Sequence, residues 1–442
     1  MEKGQTLFHI GKESNMRRII LQEGEQFSNA HLQRKSAFNA KALEIATQIV
    51  EDVRQRGDEC LRELTAKFDG VEVQDFRVPQ EAIDEAVAQC DPVIAEALEH
   101  AAAQIREFHE RQLQQSWFAT RDNGAIVGAK ITPLDSVGIY VPGGRALYPS
   151  TLLMNALPAS VAGVKRIVVV NPPTKDGSLD SAILKAAQLA GVTEIYSVGG
   201  AQAVAALAYG TEQIAPVDKI TGPGNAFVAA AKKLVSGDVG IDMIAGPSEV
   251  CVVADETADP SLVAIDLMAQ AEHDPLATCY LVTFSEEYAN AVEAAVAEHL
   301  KDSWRADITS ASLDNEGLVV VCRDLPQAMG AVNVIAPEHL ELHIANPMDS
   351  LGAIRHAGAI FLGEWTPEAV GDYVAGPNHT LPTGGTARFS SPLSVDEFVK
   401  KSSIIQYSPA ALADDADAII TIARHEGLWA HARSVELRKL AL

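Results

Sequence analysis

The sequence predicts an α/β fold built on parallel sheets, and three observations carry that prediction. From Trp117 onward, short β-branched runs alternate with helical stretches, the arrangement that lays parallel strands between covering helices. Several of those runs end in a glycine-bearing turn, the place where such sheets hold ligands. The chain has 442 residues, 47% hydrophobic and 21% charged, enough for roughly two to four domains with a sizeable core.

The elements follow in order. From about Lys35 to Gln115 the pattern is helical: "FNAKALEIATQIVEDVRQRG" repeats apolar residues at three and four and closes on Arg56 and Gly57, and "EAVAQCDPVIAEALEHAAAQIREFHERQLQQ" continues the helical texture. After Trp117 come the strand-like runs "SVGIYVPGG", "RIVVVNPP", "EIYSVGG", "DKITGPGN", "EVCVVAD" and "ATCYLVTF", separated by helical stretches such as "SLDSAILKAAQLAG". A tract rich in Gly, Pro and Asn spans Gly371 to Pro392, and a helical tail ends in "HEGLWAHARSVELRKLAL". No internal repeat or low-complexity segment interrupts this order.

Charge and cysteine usage exclude several functions. The net charge of −24, from 35 Lys and Arg against 59 Asp and Glu, repels phosphate backbones and anionic lipid, which argues against nucleic-acid and membrane partners. The five cysteines, Cys60, Cys90, Cys251, Cys279 and Cys322, are widely spaced with no CxxC pair; they read as core residues of a protein in a reducing compartment. The start lacks a basic region leading into an apolar one, and no stretch approaches about 18 uninterrupted apolar residues. A soluble, cytoplasmic protein is expected.

Four Glu-His pairs are candidates for acid-base chemistry. Glu99-His100 and Glu298-His299 lie in charged amphipathic helices and read as solvated faces. Glu272-His273 follows a helix with Asp259 as N-cap and Pro260 at its first position. There Gln270 and His273, three apart, share the last turn, where the helix dipole favours a cation; a simple hydrogen-bonded helix end is the competing interpretation. Glu338-His339 follows the strand-like "AVNVIAP", so this pair is expected at a strand terminus, a position suited to an active site. Asp372 and His379 in "GDYVAGPNHTLPTGG", and Glu426 and His431 in "HEGLWAHARS", complete the candidates. Taken singly each suits an ordinary loop or surface. Together, without a catalytic Ser or Cys motif, they suit a divalent metal with N and O ligands, zinc or manganese. The glycine turns "VPGG", "VGGAQ", "TGPGNAF" and "AGPSEV" favour a nucleotide or anionic cofactor only as a set.

Eight segments, "VPGG", "VGGAQAVAALAYGT", "TGPGNAFVAAAKKLV", "AGPSEV", "QAEHDP", "APEHLEL", "VGDYVAGPNHTLPTGGTARFSSPLSVDEF" and "GLWAHARSVELR", occur in an order that resembles the histidinol dehydrogenase family. They span the chain from about Val137 to Arg438. The resemblance implies two Rossmann-like α/β domains in an aldehyde-dehydrogenase-like architecture, with a helical N-terminal segment and a helical C-terminal tail. The expected divisions are 1–135, leading into the first α/β domain; 136–248, binding NAD; 249–392, carrying zinc and catalytic residues; and 393–442, for dimerisation and site completion.

The same resemblance implies zinc-dependent oxidation of L-histidinol to L-histidine through the aldehyde with two NAD+, the last step of histidine biosynthesis, in a homodimer with shared sites. It puts metal ligands at Gln270, His273, Asp372 and His431, and proton acceptors at Glu338 and His339. Substrate contacts fall on Ser248, Gln270, His273, His339, Asp372, Glu426 and His431, and NAD contacts on Tyr140, Gln202 and Asn225. A relative acting on another polar alcohol, such as a sulfonated diol, is the alternative within the enzymes; those relatives differ around "NHTLPTGG". A cysteine-dependent aldehyde dehydrogenase and a zinc-binding structural protein are further alternatives. The first requires a reactive thiol, and the second predicts no NAD reduction.

Overall fold

The computed structural model describes residues 16–34, 40–143, 147–175, 177–244 and 246–440. The chain's first residues, Lys35 to Asn39 of the helical segment, Gly144 of "VPGG" and Ala245 of "AGPSEV" lie outside the described residues. Two parallel sheets, each covered on both faces, make the body of the molecule.

The first sheet orders its strands Glu194–Ser197, Arg166–Asn171, Ser136–Tyr140, Lys219–Thr221 and Gly240–Ile241, all pairs parallel. The order in which successive strands are added reverses between the 136–140 and 219–221 strands, which opens a crevice beyond their carboxyl ends. The strand interiors are apolar because both faces are covered, with charged residues such as Arg166, Glu194 and Lys219 only at strand starts. Val137, Ile139, Ile167 and Val169 pack with Leu152, Leu153 and Leu157 of helix Pro149–Ala162, while Val168, Val170 and Ile220 pack on the other side with Val204 and Leu207 of helix Gly200–Tyr209. The predicted helical segment forms four helices, Ala40–Arg56, Asp58–Phe68, Gln80–Ala88 and Pro92–Glu110, laid against this domain.

The second sheet orders its strands Arg17–Ile20, Leu318–Val321, Thr278–Thr283, Glu249–Ala254, His339–His343 and Ala359–Leu362, again all parallel. The five later strands repeat the reversed order of the first sheet, with the switch between the 249–254 and 339–343 strands. The edge strand 17–20 comes from the N-terminal segment, where four residues of "RRII" are too short to show a period. Cys279 and Cys251 fill opposite faces of this sheet, and all five cysteines are buried and free, as core residues should be.

A small antiparallel sheet, Val399–Gln406, Ile126–Pro133 and Trp117–Thr120, stands apart. It leads into two tail helices, Pro409–His425 and Trp429–Lys439, which pack on each other. Among the described residues no helix is long and apolar enough to cross a membrane.

One local reading is corrected. "AVNVI" belongs to helix Leu325–Ile335, begun by Asp324, whose side chain accepts from the Gln327 N–H, with Pro326 in its first turn. Ala336 ends it in a left-handed conformation, φ 46°, and the strand starts only at His339. Apolar β-branched residues at three and four along a buried helix mimic a strand when the window is short. The Glu-His pair therefore opens a strand instead of closing one.

Candidate active site

The carboxyl-end edge of the first sheet presents the predicted cofactor residues on three successive loops. Tyr140 ends the central strand, and its hydroxyl accepts the Gly200 N–H at 3.1 Å; burial pushes its phenol up to about 12. Gln202 is buried in the first turn of helix Gly200–Tyr209. Asn225 caps helix Ala226–Val235, with Oδ1 accepting from Phe227 N at 3.0 Å and Val228 N at 3.2 Å.

Sequence reasoning missed what holds the "TGPGN" loop in place. Gly222 has φ +109°, and a Cβ there would collide with the Tyr140 carbonyl oxygen. Its N–H donates to Asp242 Oδ2 at 2.9 Å, and its carbonyl accepts from Lys232 Nζ at 2.9 Å. Lys232 and Asp242 also pair directly, both fully buried. Only the spacing of an apolar helix interrupted by a lysine hinted at this in the sequence.

The second sheet contributes the strand starts of its central pair. Glu249 and Glu338-His339 stand side by side because Val250 registers with His339. The Glu249 N–H donates to Glu338 Oε2 at 2.9 Å, and its carbonyl lies 3.2 Å from His339 Nδ1. A carbonyl can only accept, so Nδ1 carries a proton, and Nε2 holds the lone pair whenever the ring is neutral. That Nε2 is buried without a hydrogen-bond partner, 3.8 Å from Asp372 Oδ1.

Gln270, buried on helix Pro260–Ala271, and Asp372 with Glu368, on the short helix Glu368–Tyr373, close the group. Ser248 immediately precedes the 249–254 strand and its carbonyl accepts the Thr278 N–H at 2.9 Å. Glu368 is a second missed residue; its signal was an acid one helical turn before Asp372. The donor atoms of His273, Glu368 and Asp372 lie within 4.8 Å of one another. His379 joins them from the following loop, its Nδ1 2.9 Å from the Asp372 carbonyl and its Nε2 3.3 Å from Thr151 Oγ1.

The electrostatics are those of crowded, buried acids. Burial pushes the Glu338 carboxyl up to about 7, and does the same to Glu249. Glu368 is raised well above the carboxylate range, by burial and by its acidic neighbours. For His339 burial opposes charge, but Glu368, Glu338 and Asp372 outweigh it and hold the imidazole well above its ordinary value. The Gln270 amide lies 3.0 and 3.2 Å from the two Glu368 oxygens and 3.2 Å from His339 Nδ1. Its oxygen suits the Nδ1 proton and its nitrogen suits the carboxylate, so no rotation satisfies both neighbours. A cation in the group, or a proton on Glu368, resolves the conflict, and the N and O donor set fits zinc.

Glu426 and His431 stand outside this cluster. Both are exposed, Glu426 in the turn after helix Pro409–His425 and His431 on helix Trp429–Lys439.

Comparison with known proteins supplies the family. Residues 32–439 match the family model described as Histidinol dehydrogenase. The chain belongs to the histidinol dehydrogenase family. It is an NAD-dependent oxidoreductase. It is 56% identical over 390 residues to the histidinol dehydrogenase of Geobacillus kaustophilus, covering 88% of this chain and 92% of that one. Identity to the Bacillus subtilis enzyme is 55% over 391 residues, with the same coverage. Among solved structures, histidinol dehydrogenase from Elizabethkingia anophelis superposes with a TM-score of 0.91 at 35% identity, covering 96% of this chain and 98% of that one. The two-sheet architecture described above is thus shared with a family member of known structure.

Proposed function

We propose that the chain oxidises L-histidinol to L-histidine through L-histidinaldehyde, using zinc and two NAD+, as a homodimer with shared sites. The observation that carries this reading is the His339 imidazole, whose Nδ1 is tied to a main-chain carbonyl with Gln270 and Glu368 beside it, while Nε2 lies 3.8 Å from Asp372 Oδ1 of the His273, Glu368 and Asp372 donor group. Zinc held by Gln270, His273, Asp372 and the tail's His431 would orient the substrate's nitrogens and offset the acids that otherwise keep His339 protonated. NAD+ bound by Tyr140, Gln202 and Asn225 would receive the hydride.

Every other role falls to the protein's own groups. His339 Nε2 takes the alcohol proton as the C–H hydride departs, and takes a proton again from the hydrated aldehyde in the second oxidation. Glu338 removes a proton from the water that adds to the aldehyde. Its raised basicity suits that task, and the Glu249 N–H aims its carboxylate. Asp372 and Glu426 complement the positive charge that zinc and substrate bring to the site, and Ser248 lines its approach.

The tail supports sharing of sites. Ile422, Trp429, Leu437 and Leu440 are exposed, Trp429 by 75%, and terminal helices hold a ligand residue only when docked. A second chain covering this face would bring Glu426 and His431 to the partner's donor group. Two NADH per histidinol from zinc-loaded protein tests the chemistry; one would refute the four-electron reaction. Mixing His431→Ala with His339→Gln chains after partial unfolding tests the sharing. A heterodimer with crossed tails has one site with both defects and one with neither, so about half of wild-type activity returns by site counting. No recovery in verified heterodimers would overturn the shared site.

A further inference from the structure

Three elements carry the donor group: the strand His339–His343, the helix Pro260–Ala271 and the short helix Glu368–Tyr373. A buried polar node joins them away from the reacting atoms. Side chains alternate along a strand, so Glu341 and His343 project on the same side as His339. Glu341 Oε1 accepts the backbone N–H of Glu368 at 2.8 Å, at the start of the short helix. Glu341 Oε2 lies 3.1 Å from His343 Nε2, and the same nitrogen lies 3.3 Å from Asp266 Oδ2. Asp266 sits one helical turn before Gln270. All three side chains are buried, with Glu341 fully removed from solvent.

An ordinary packing contact does not require this arrangement. Burying two acids and an imidazole is costly unless each is paired, and a leucine would fill the same volume. The polar groups do something a leucine cannot. They fix the entry of a helix only six residues long, which has little cohesion of its own, relative to the strand bearing His339 and the helix bearing Gln270. We infer that Glu341, His343 and Asp266 are positioning residues that set the spacing of the zinc donors around His339 without touching substrate. This inference rests on the zinc-dependent reading above. It adds a support that neither the sequence motifs nor the reaction itself requires.

The test compares Glu341→Met with Glu341→Gln in the full-length protein. Methionine keeps the volume and removes the acceptor for the Glu368 N–H; glutamine keeps an acceptor oxygen. Zinc affinity is read by chelator competition, NAD+ affinity by titration, and kcat and KM with histidinol. Outer partners of metal ligands commonly change affinity by about 10- to 100-fold. The methionine variant should bind zinc at least about tenfold more weakly and turn over more slowly, with NAD+ affinity unchanged, because the cofactor loops hang on the other sheet. The glutamine variant should stay within about threefold of wild type on all counts. Unaltered zinc binding in the methionine variant would overturn the inference. So would equal loss of zinc and NAD+ affinity, which marks general damage, or a second zinc per chain held at the node itself. If the methionine variant does not fold, the glutamine variant decides: wild-type zinc affinity supports the tie, and loss despite its acceptor oxygen refutes it. Should wild-type protein bind no zinc, the zinc reading fails, and the kcat contrast between the two variants then judges the node alone.

Discussion

The two sheets meet across the site with opposite edges and opposite chemistry. The first offers the carboxyl ends of its strands, where main-chain groups do most of the work. Tyr140 accepts from a backbone N–H, Asn225 caps a helix, and the buried Lys232–Asp242 pair is spent on the two peptide groups of Gly222. The second offers the amino ends of its strands, where Glu249, Glu338, His339, Glu368 and Asp372 crowd together and shift one another's protonation. A cofactor common to many reactions can be held by backbone shape. A reaction needing two proton transfers and a cation requires titratable side chains in a dry place. The same fold therefore supplies a rigid cradle on one side and a charged furnace on the other.

The largest effects should come from the charged edge. His339→Gln removes the acceptor proposed for both hydride departures, and both half-reactions should slow by about a hundredfold or more. Glu338→Gln keeps the Glu249 hydrogen bond through its amide oxygen but cannot take the water's proton, so oxidation of the aldehyde should slow far more than oxidation of the alcohol. Single-turnover assays started separately from histidinol and histidinaldehyde distinguish the two. Equal losses in both halves for both variants would erase the division of labour within this edge.

An intermediate effect is expected at the cradle. Gly222→Ala places a Cβ against the Tyr140 carbonyl at a backbone angle that L side chains rarely adopt. The loop must shift, and with it Asn225 and the start of helix Ala226–Val235. NAD+ affinity should fall about tenfold, in line with roughly 1 to 3 kcal/mol of strain, while zinc content stays at the wild-type level. A variant that loses zinc and keeps NAD+ affinity would mean that the two edges are not separable.

This contrast also explains how much was legible beforehand. The first sheet announces itself locally: glycine turns after β-branched runs give the parallel fold, while Tyr140, Gln202 and Asn225 were named within them only by the resemblance to the family. The charged edge is assembled from distant segments. Gln270 and His273 were visible from the N-capped helix that ends beside them. Glu338-His339 was found for its chemistry but placed on the wrong side of a strand, since "AVNVI" satisfies both a strand and a buried helix. Glu249, Glu368 and Glu341 were not found, because a single acid in an apolar run or a short turn carries no period. Their meaning arises only when the register of the 249–254 and 339–343 strands brings them together.

The smallest predicted effect lies at the seam between the two regions. His109, buried near the end of helix Pro92–Glu110, receives the Asn378 amide on Nε2 at 3.4 Å and holds Gln112 Oε1 with Nδ1 at 2.7 Å. Asn378 is next to His379, so this imidazole ties the first domain's helices to the loop behind the donor group. Receiving a hydrogen bond on Nε2 requires a neutral ring, and burial lowers its affinity for a proton. Below the unfolded value of about 6.5, the unfolded chain binds a proton that the folded one does not. Stability is therefore lost as pH falls through that value, with a slope of up to about 1.4 kcal/mol per pH unit until the folded ring also protonates. His109→Gln keeps a polar side chain without the titration. Its stability deficit relative to wild type, measured by urea unfolding, should shrink as pH falls from 7 to 5.5. Glu338 and Glu249 titrate in the opposite sense, their raised affinity favouring the folded state at lower pH, but they are present in both proteins and cancel in the difference. A deficit that does not change with pH would mean that the seam's imidazole is already charged in the native protein, and the hydrogen-bond directions assigned to it would have to be reversed.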